Sequence, residues 1–333
     1  MFIVESYSLA VILCVVTMLC WGSWANTQKL AGQQWRFPLF YWDYTIGVLL
    51  VTLLLAFTLG SNGGEGRSFL ADLEQASSSS MGSAFLGGVI FNIANLLLVV
   101  AIDIAGMAVA FPVGIGLALV LGVLINYFAT PVGDPLFIFL GVALVAAAII
   151  LDAIAYGKLP KEEGQQTQKG LIISLIAGVL MGFFYRFVAA SMATDFADPE
   201  TGMLTPYTAL VIFSTGIFVS NFVWNTWMMY RPLAGEKVTY QDYFQQGTPR
   251  LHGIGILGGV IWGIGMSLNI IASGSAGYAI SYGLGQGATM VAAIWGVFIW
   301  KEFKGAPKGT NTLLSAMFVC YLVGLALVIL ANA

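Results

Sequence analysis

Charge is the scarcest property of this chain: only 9% of its 333 residues are Asp, Glu, Lys or Arg, and a single histidine, His252, accompanies them. A soluble domain of this length carries about 25% charged residues, so an ordinary water-exposed surface is excluded. Cysteine is equally sparse. Cys14, Cys20 and Cys320 lie in apolar runs without metal-ligand spacing, which reads as small-residue packing rather than a disulfide framework or metal site. No two intramembrane acids share a helix face and no Ser/His dyad is in reach, so a membrane-embedded enzyme lacks its groups. The triplets Gly114-Ile115-Gly116 and Gly283-Leu284-Gly285 follow no strand, and Gly157-Lys158-Leu159 lacks the remaining residues of a phosphate loop, which excludes ATP hydrolysis. The chain implies no cofactor, no metal and no nucleic-acid partner.

What it has instead is apolar length. Hydrophobic residues make up 59% of the chain, with 40 glycines and a mean hydropathy of +0.88. Ten runs are long enough to cross a ~30 Å hydrocarbon core as helices. They cover 8 to 29, 39 to 60, 82 to 103, 106 to 128, 134 to 156, 170 to 193, 206 to 230, 253 to 273, 277 to 300 and 310 to 332, and are called spans 1 to 10. The expected fold class is an all-α integral membrane protein. The start, MFIVESY, is acidic and runs into a span, so it reads as a mature terminus rather than a cleaved signal.

Basic residues are distributed unevenly. Eleven of the thirteen, Lys29, Arg36, Lys158, Lys161, Lys169, Arg231, Lys237, Arg250, Lys301, Lys304 and Lys308, fall in the connections 1/2, 3/4, 5/6, 7/8 and 9/10. The other side holds Arg67, and Arg186 lies within span 6. By the positive-inside rule the basic connections are cytoplasmic and both termini lie outside the cytoplasm, as in a bacterial inner membrane.

Residues 86 to 128 align without gaps on 257 to 299 at a constant offset of 171. Leu86-Gly87-Gly88-Val89-Ile90 matches Leu257-Gly258-Gly259-Val260-Ile261, and Gly106, Gly114 and Gly116 match Gly277, Gly285 and Gly287. A period of five spans inverts the second copy, so the expected architecture is a 5+5 inverted repeat. Its halves are 1–156 and 170–333, joined by a short linker over 157–169. Gly255, Gly259 and Gly263, four apart in span 8, also suit close helix packing in lipid.

Polar groups inside the spans need partners, because an unpaired amide or charge in hydrocarbon costs several kcal/mol. Spans 1, 3, 8 and 9 carry Trp21, Ser23, Trp24 and Asn26, then Asn92 and Asn95, then Asn269, then Tyr278, Ser281, Tyr282 and Gln286. Two readings are open: hydrogen bonding between helices, or a cavity for a neutral polar solute whose ring packs on aromatic faces. Arg186 either snorkels to the outer interface or holds an anionic group. Asp43 is either a carboxylate that exchanges a coupling proton or a solvated acid near a helix N-terminus. Asp103 and Asp152 read as interfacial, at the basic-side ends of their spans.

Several stretches resemble a known group. MFIVESY, WDYT in span 2, LGG…AN in span 3, AGMAV before span 4, NYF at 126 to 128, GVLMGFF in span 6, and SAGYA followed by WGVFIWKEF in span 9 look like the ureide permease family of the drug/metabolite transporter superfamily. WGSW in span 1 is also similar to the bacterial glucose/ribose uptake porters of that superfamily. The resemblance implies a ten-helix carrier with a central cavity, importing allantoin and related heterocycles with protons, or sugars. It also implies family positions at Asp43, Asn95, Gly277 and Tyr278. Two departures stand out: the short 157–169 segment where plant members have a long loop, and Phe111 and Tyr282 where they carry acids.

The reading is therefore a secondary active transporter that imports a small polar solute, a ureide, nucleobase-like heterocycle or sugar, by alternating access coupled to a proton or cation. The alternative is an exporter of metabolites or hydrophobic drugs. Expected partners are the solute, the lipid bilayer, the coupling ion and, as an open option, a second copy of the chain.

Overall fold

The computed structural model describes residues 1–32, 34–160 and 167–333. Among the described residues, ten helices are long and apolar enough to span a membrane: Tyr7–Ala31, Phe37–Phe57, Ser78–Ala105, Val109–Ala129, Pro135–Tyr156, Gln168–Ala189, Pro206–Tyr230, Pro249–Ala276, Tyr278–Ile299 and Thr310–Leu330. The protein is an all-α integral membrane protein, and among the described residues no strand forms. Hydrocarbon offers no partner to a free N–H or C=O, and a helix satisfies both within one segment.

The span ends follow local chemistry. Proline occupies the first turn of spans 2, 5, 7 and 8, where its missing N–H removes no helical bond. The Asp134 carboxylate caps span 5 by accepting from the amides of Leu136 and Phe137, and Thr248 caps span 8 by accepting from Leu251.

Spans 3 and 8 have equal lengths of 28 residues, and their bounds are offset by 171 at both ends. Each stops at a glycine in the left-handed region, Gly106 at φ 78° and Gly277 at φ 80°, a backbone that other residues rarely adopt. Their packing corresponds too: span 3 lies along spans 6 and 7, and span 8 along spans 1 and 2. Span 4 packs on span 6, span 9 on span 1, and spans 5 and 10 on each other. Glycine makes the closest approaches. A Cβ at Gly88 would sit 2.0 Å from the Phe213 carbonyl oxygen, and one at Gly259 only 1.9 Å from that of Tyr44.

Three features go beyond the apolar runs. In span 1 the helical hydrogen-bond ladder is interrupted at Trp24, between helices Tyr7–Ser23 and Ala25–Ala31, while the backbone there stays helical at φ −56° and ψ −37°. Span 9 breaks at Gln286 and Gly287 and ends in a π-helical turn, Trp295–Ile299. Two short helices, Phe69–Gln75 and Tyr240–Gln246, lie between spans. The first is anchored by buried Asp72, which accepts from Arg67 Nε, Gln75 Nε2 and both the amide and hydroxyl of Thr205. Of the 157–169 linker, residues 161–166, including Lys161, lie outside the described residues.

The glycine contacts make a stability prediction. Gly88→Ala and Gly259→Ala each force two backbones apart and should cost about 1–3 kcal/mol. Gly253→Ala in span 8, where a Cβ meets nothing within 4 Å, serves as the control. Thermal unfolding in detergent should show the first two destabilised and the control not.

Candidate solute-binding site

A cavity of about 340 Å³ lies among spans 1, 3, 4, 6, 8 and 9. Trp21, Trp24, Phe91, Phe184 and Trp262 give it aromatic walls, and Gln28, Asn95, Gln286 and Thr289 give it neutral hydrogen-bonding groups. Trp21 and Trp262 stack with centroids 5.9 Å apart at 12°, and Trp24 leans on Tyr44 at 4.9 Å. The helix breaks at Trp24 and Gln286 fall on this lining. Irregular backbone at membrane depth is tolerated where it faces a cavity.

The cavity runs into a wider space. A vestibule of about 840 Å³ shares Ala25, Gln28, Val99 and Asp103 with it and is walled by Trp35, Lys29, Arg36 and Glu236. That is the side bearing most of the basic residues. Ion pairs flank this mouth: Lys29 with Glu302 at 2.6 Å and Arg36 with Glu236 at 2.5 Å. Toward the opposite side, buried hydrogen bonds close the floor. Tyr185 donates to Asn269 Oδ1 at 2.8 Å, and the Tyr282 hydroxyl lies 3.2 Å from the carbonyls of both Ala118 and Met181.

The anticipated site residues divide accordingly. Trp21, Trp24, Asn95 and Gln286 line the cavity. Ser23 and Asn26 do not; they accept from the indole N–H groups of Trp295 and Trp300 and so lock span 1 to span 9. Asn92 donates to Ser220 in span 7, and Asn269 donates to the Ser281 carbonyl while accepting from Tyr185. Tyr282 belongs to the floor, and Tyr278 is buried at the start of span 9. Arg186 lies near Tyr278 at the end of span 6 and lines neither cavity. Trp262, Phe91, Phe184, Gln28 and Thr289 were not anticipated. Of these, Phe91 and Trp262 carried a usable signal, since each follows one copy of the repeated Leu-Gly-Gly-Val-Ile.

Asp103 is exposed at the basic-side end of span 3, as an interfacial acid is, and lines both the cavity and the vestibule, whereas the interfacial reading of Asp152 needs correction, since it is buried at 4% exposure.

A family model for ureide permeases matches residues 40–159 and 157–331, nearly the whole chain. The chain belongs to the ureide permease family. It is 24% identical to ureide permease 1 of Arabidopsis thaliana, over 100% of this chain and 99% of that one, and 23% identical to ureide permease 4 of the same plant with the same coverage. Probable ureide permease A3 of Vigna unguiculata is 23% identical over 92% of this chain. A solved crystal structure shares the fold, with a TM-score of 0.60 at 15% identity over 97% of this chain. The relatives are named as permeases, and this ureide permease family member is a membrane transport protein rather than an enzyme.

Asp43, the anticipated proton-coupling residue, lines neither cavity of this permease. It is 1% exposed, and its carboxylate meets three donors: Trp35 Nε1 at 3.0 Å, the Tyr243 hydroxyl at 2.6 Å and His252 Nδ1 at 2.9 Å. Burial, and then the carboxylate that accepts its proton, push the Tyr243 hydroxyl well above the ordinary tyrosine range. The cluster ties span 2 to the helix Tyr240–Gln246 and to the first turn of span 8. Its membership was hidden because Trp35, Tyr243 and His252 all lie outside the apolar runs.

The division predicts two phenotypes. Asn269→Leu removes the acceptor of a buried Tyr185 hydroxyl and should cost about 1–3 kcal/mol of stability. Gln286→Ala removes a group that faces open volume and should weaken solute binding while leaving the melting temperature near wild type, whereas Asn95→Ala also removes the donor to the buried Tyr41 hydroxyl and should weaken binding and lower stability together. Binding and unfolding measured on the same three variants check this.

Proposed function

We propose that this permease imports a small, neutral, planar polar solute of the ureide or nucleobase class by alternating access, driven by a proton or other cation. The observation that carries the reading is the cavity itself: indole and phenyl faces around a space of about 340 Å³, with two carboxamides, Asn95 and Gln286, on facing spans. A carboxamide offers one donor and one acceptor side by side, the complement of the N–H and C=O edge of a urea or cyclic amide. Flat rings stack on flat indoles without a conformational cost, which favours such heterocycles over sugars. The names of the plant relatives point the same way.

Alternating access draws support from the correspondence of the halves. The 171-residue offset of spans 3 and 8, their terminal glycines Gly106 and Gly277, and the paired close contacts at Gly88 and Gly259 fit two inverted halves, 1–156 and 170–333, about a common cavity. In this conformation the cavity leads toward the basic connections, which the positive-inside rule assigns to the cytoplasm of a bacterial cell, with both termini outside. Arg186 lies away from the cavity, so a solute carboxylate is not required by the site.

The test is uptake into proteoliposomes of radiolabelled allantoin, uracil, ribose and glucose, with and without a pH gradient. Gradient-dependent accumulation of allantoin or uracil, but not of the sugars, is expected. Accumulation of the sugars alone overturns the substrate class, and no accumulation of any of the four overturns the transport reading. Because its carboxylate is held by three donors, Asp43→Asn should lower stability and uptake together; an Asp43→Asn protein of native stability that lost only its pH dependence would make Asp43 the coupling residue after all.

A further inference from the structure

The most exposed question about coupling is where the proton sits, and a second buried acid answers it. Asp152 lies in span 5 one turn from its basic-side end and is 4% exposed. Its Oδ1 is sealed from solvent and has no hydrogen-bond partner among the described residues. The same holds for the hydroxyl of Tyr321 in span 10, the helix packed along span 5. Tyr321 lies within electrostatic reach of Asp152 and beside Thr289. Thr289 lines the solute cavity and spends its own hydroxyl proton on the Gln286 carbonyl at 2.8 Å, which leaves its oxygen free to accept.

On the other side of Asp152 is Glu302, in the connection between spans 9 and 10. It accepts from Tyr156 at 2.6 Å and from Lys29 at 2.6 Å, and its side chain is 26% exposed. These are the titratable and charged neighbours of Asp152: Tyr156 on its own helix, Tyr321 from span 10, and Glu302 with Lys29 from the basic side. Span 4, also packed on span 5, contains no acidic or basic residue.

We propose that Asp152 is the proton-binding site of this transporter, linked through Tyr321 and Thr289 to the solute cavity and through Glu302 to the basic-side solvent. The inference rests on the proton-coupled reading above and assigns its proton. A carboxylate in this environment with an unpaired oxygen is expensive, and a bound proton removes the charge and supplies a donor for a neighbouring oxygen. Asp43 is built in the opposite way. Three donors already compensate its charge, so neutralising it gains less than it does at Asp152. Solute entering the cavity meets Gln286 and Thr289, and through Thr289 it bears on the Tyr321 hydroxyl.

Infrared spectroscopy of the full chain in lipid, titrated with pH in sodium-free buffer without solute, tests the site directly. A protonated-carboxyl band is expected that Asp152→Asn abolishes, Asp152→Glu retains at a shifted position, Tyr321→Phe displaces and Asp43→Asn leaves in place. A band unchanged in Asp152→Asn, or one lost only in Asp43→Asn, overturns the assignment. Transport of radiolabelled allantoin then separates coupling from folding: Asp152→Asn should lose accumulation driven by a pH gradient yet keep counterflow exchange, which needs no net proton movement. Gradient-driven accumulation that survives in Asp152→Asn overturns the assignment alone. A wild type whose uptake follows a sodium gradient and ignores pH overturns the proton-coupled reading as well.

Discussion

Hydrocarbon supplies no hydrogen bonds, and the arrangement of this protein follows from where its polar side chains find them. Asn92 meets Ser220, Thr52 meets Ser214, Asn269 meets Tyr185 and the Ser281 carbonyl, and Tyr282 meets two carbonyls across the bundle. Each bond contributes about 1 kcal/mol net, but breaking one without replacement strands a polar group in a dry interior. These bonds therefore fix rotation and register between helices that lipid would otherwise let slide. The cavity is the complement of that network. Where Trp24 and Gln286 interrupt their helices, polar groups face open volume instead of one another.

Much of the fold was legible because a long uninterrupted apolar run admits few interpretations. The ten spans lie within a few residues of the runs, and among the glycines shared at an offset of 171, Gly88 and Gly259 fall where two backbones touch and Gly106 and Gly277 where a helix stops. The site was only half legible, for a geometric reason. Asn92 and Asn95 are three residues apart, about 60° around a helix. That small rotation decides that one faces span 7 and the other the cavity. Ser23, Trp24 and Asn26 are indistinguishable by position. What separates them is Trp295 and Trp300, more than 270 residues away, which claim the first and the third.

Acids were misjudged for a related reason. Depth along a span says how far a residue is from its end, not what covers that end. Asp152 is a turn from the basic side, where an acid is ordinarily wet, yet it is buried there, beside the hydrogen-bonded pair of Tyr156 at the end of its own helix and Glu302 in the approach to span 10. Asp43 is likewise close to a helix start, and Trp35, Tyr243 and His252 enclose it from three separate segments. Hydropathy cannot register such cover, because its parts are short, polar and distant in the chain.

The two ends of the cavity are held by interactions of different strength, and this bears on how the proposed rocking could proceed. At the mouth, Lys29–Glu302 and Arg36–Glu236 are partly exposed pairs of a kind that contributes roughly 0–1 kcal/mol each. At the floor, Tyr185 and Tyr282 are fully buried, so parting them from Asn269, Ala118 and Met181 requires new partners at about 1–3 kcal/mol per stranded group. Within the proposed alternating access, a closed floor and a loosely tied mouth favour the basic-side-open form for the empty protein. Solute drives that change only by the difference between its affinities for the two forms, so opening the floor requires that solute or water take over the bonds that Tyr185 and Tyr282 give up.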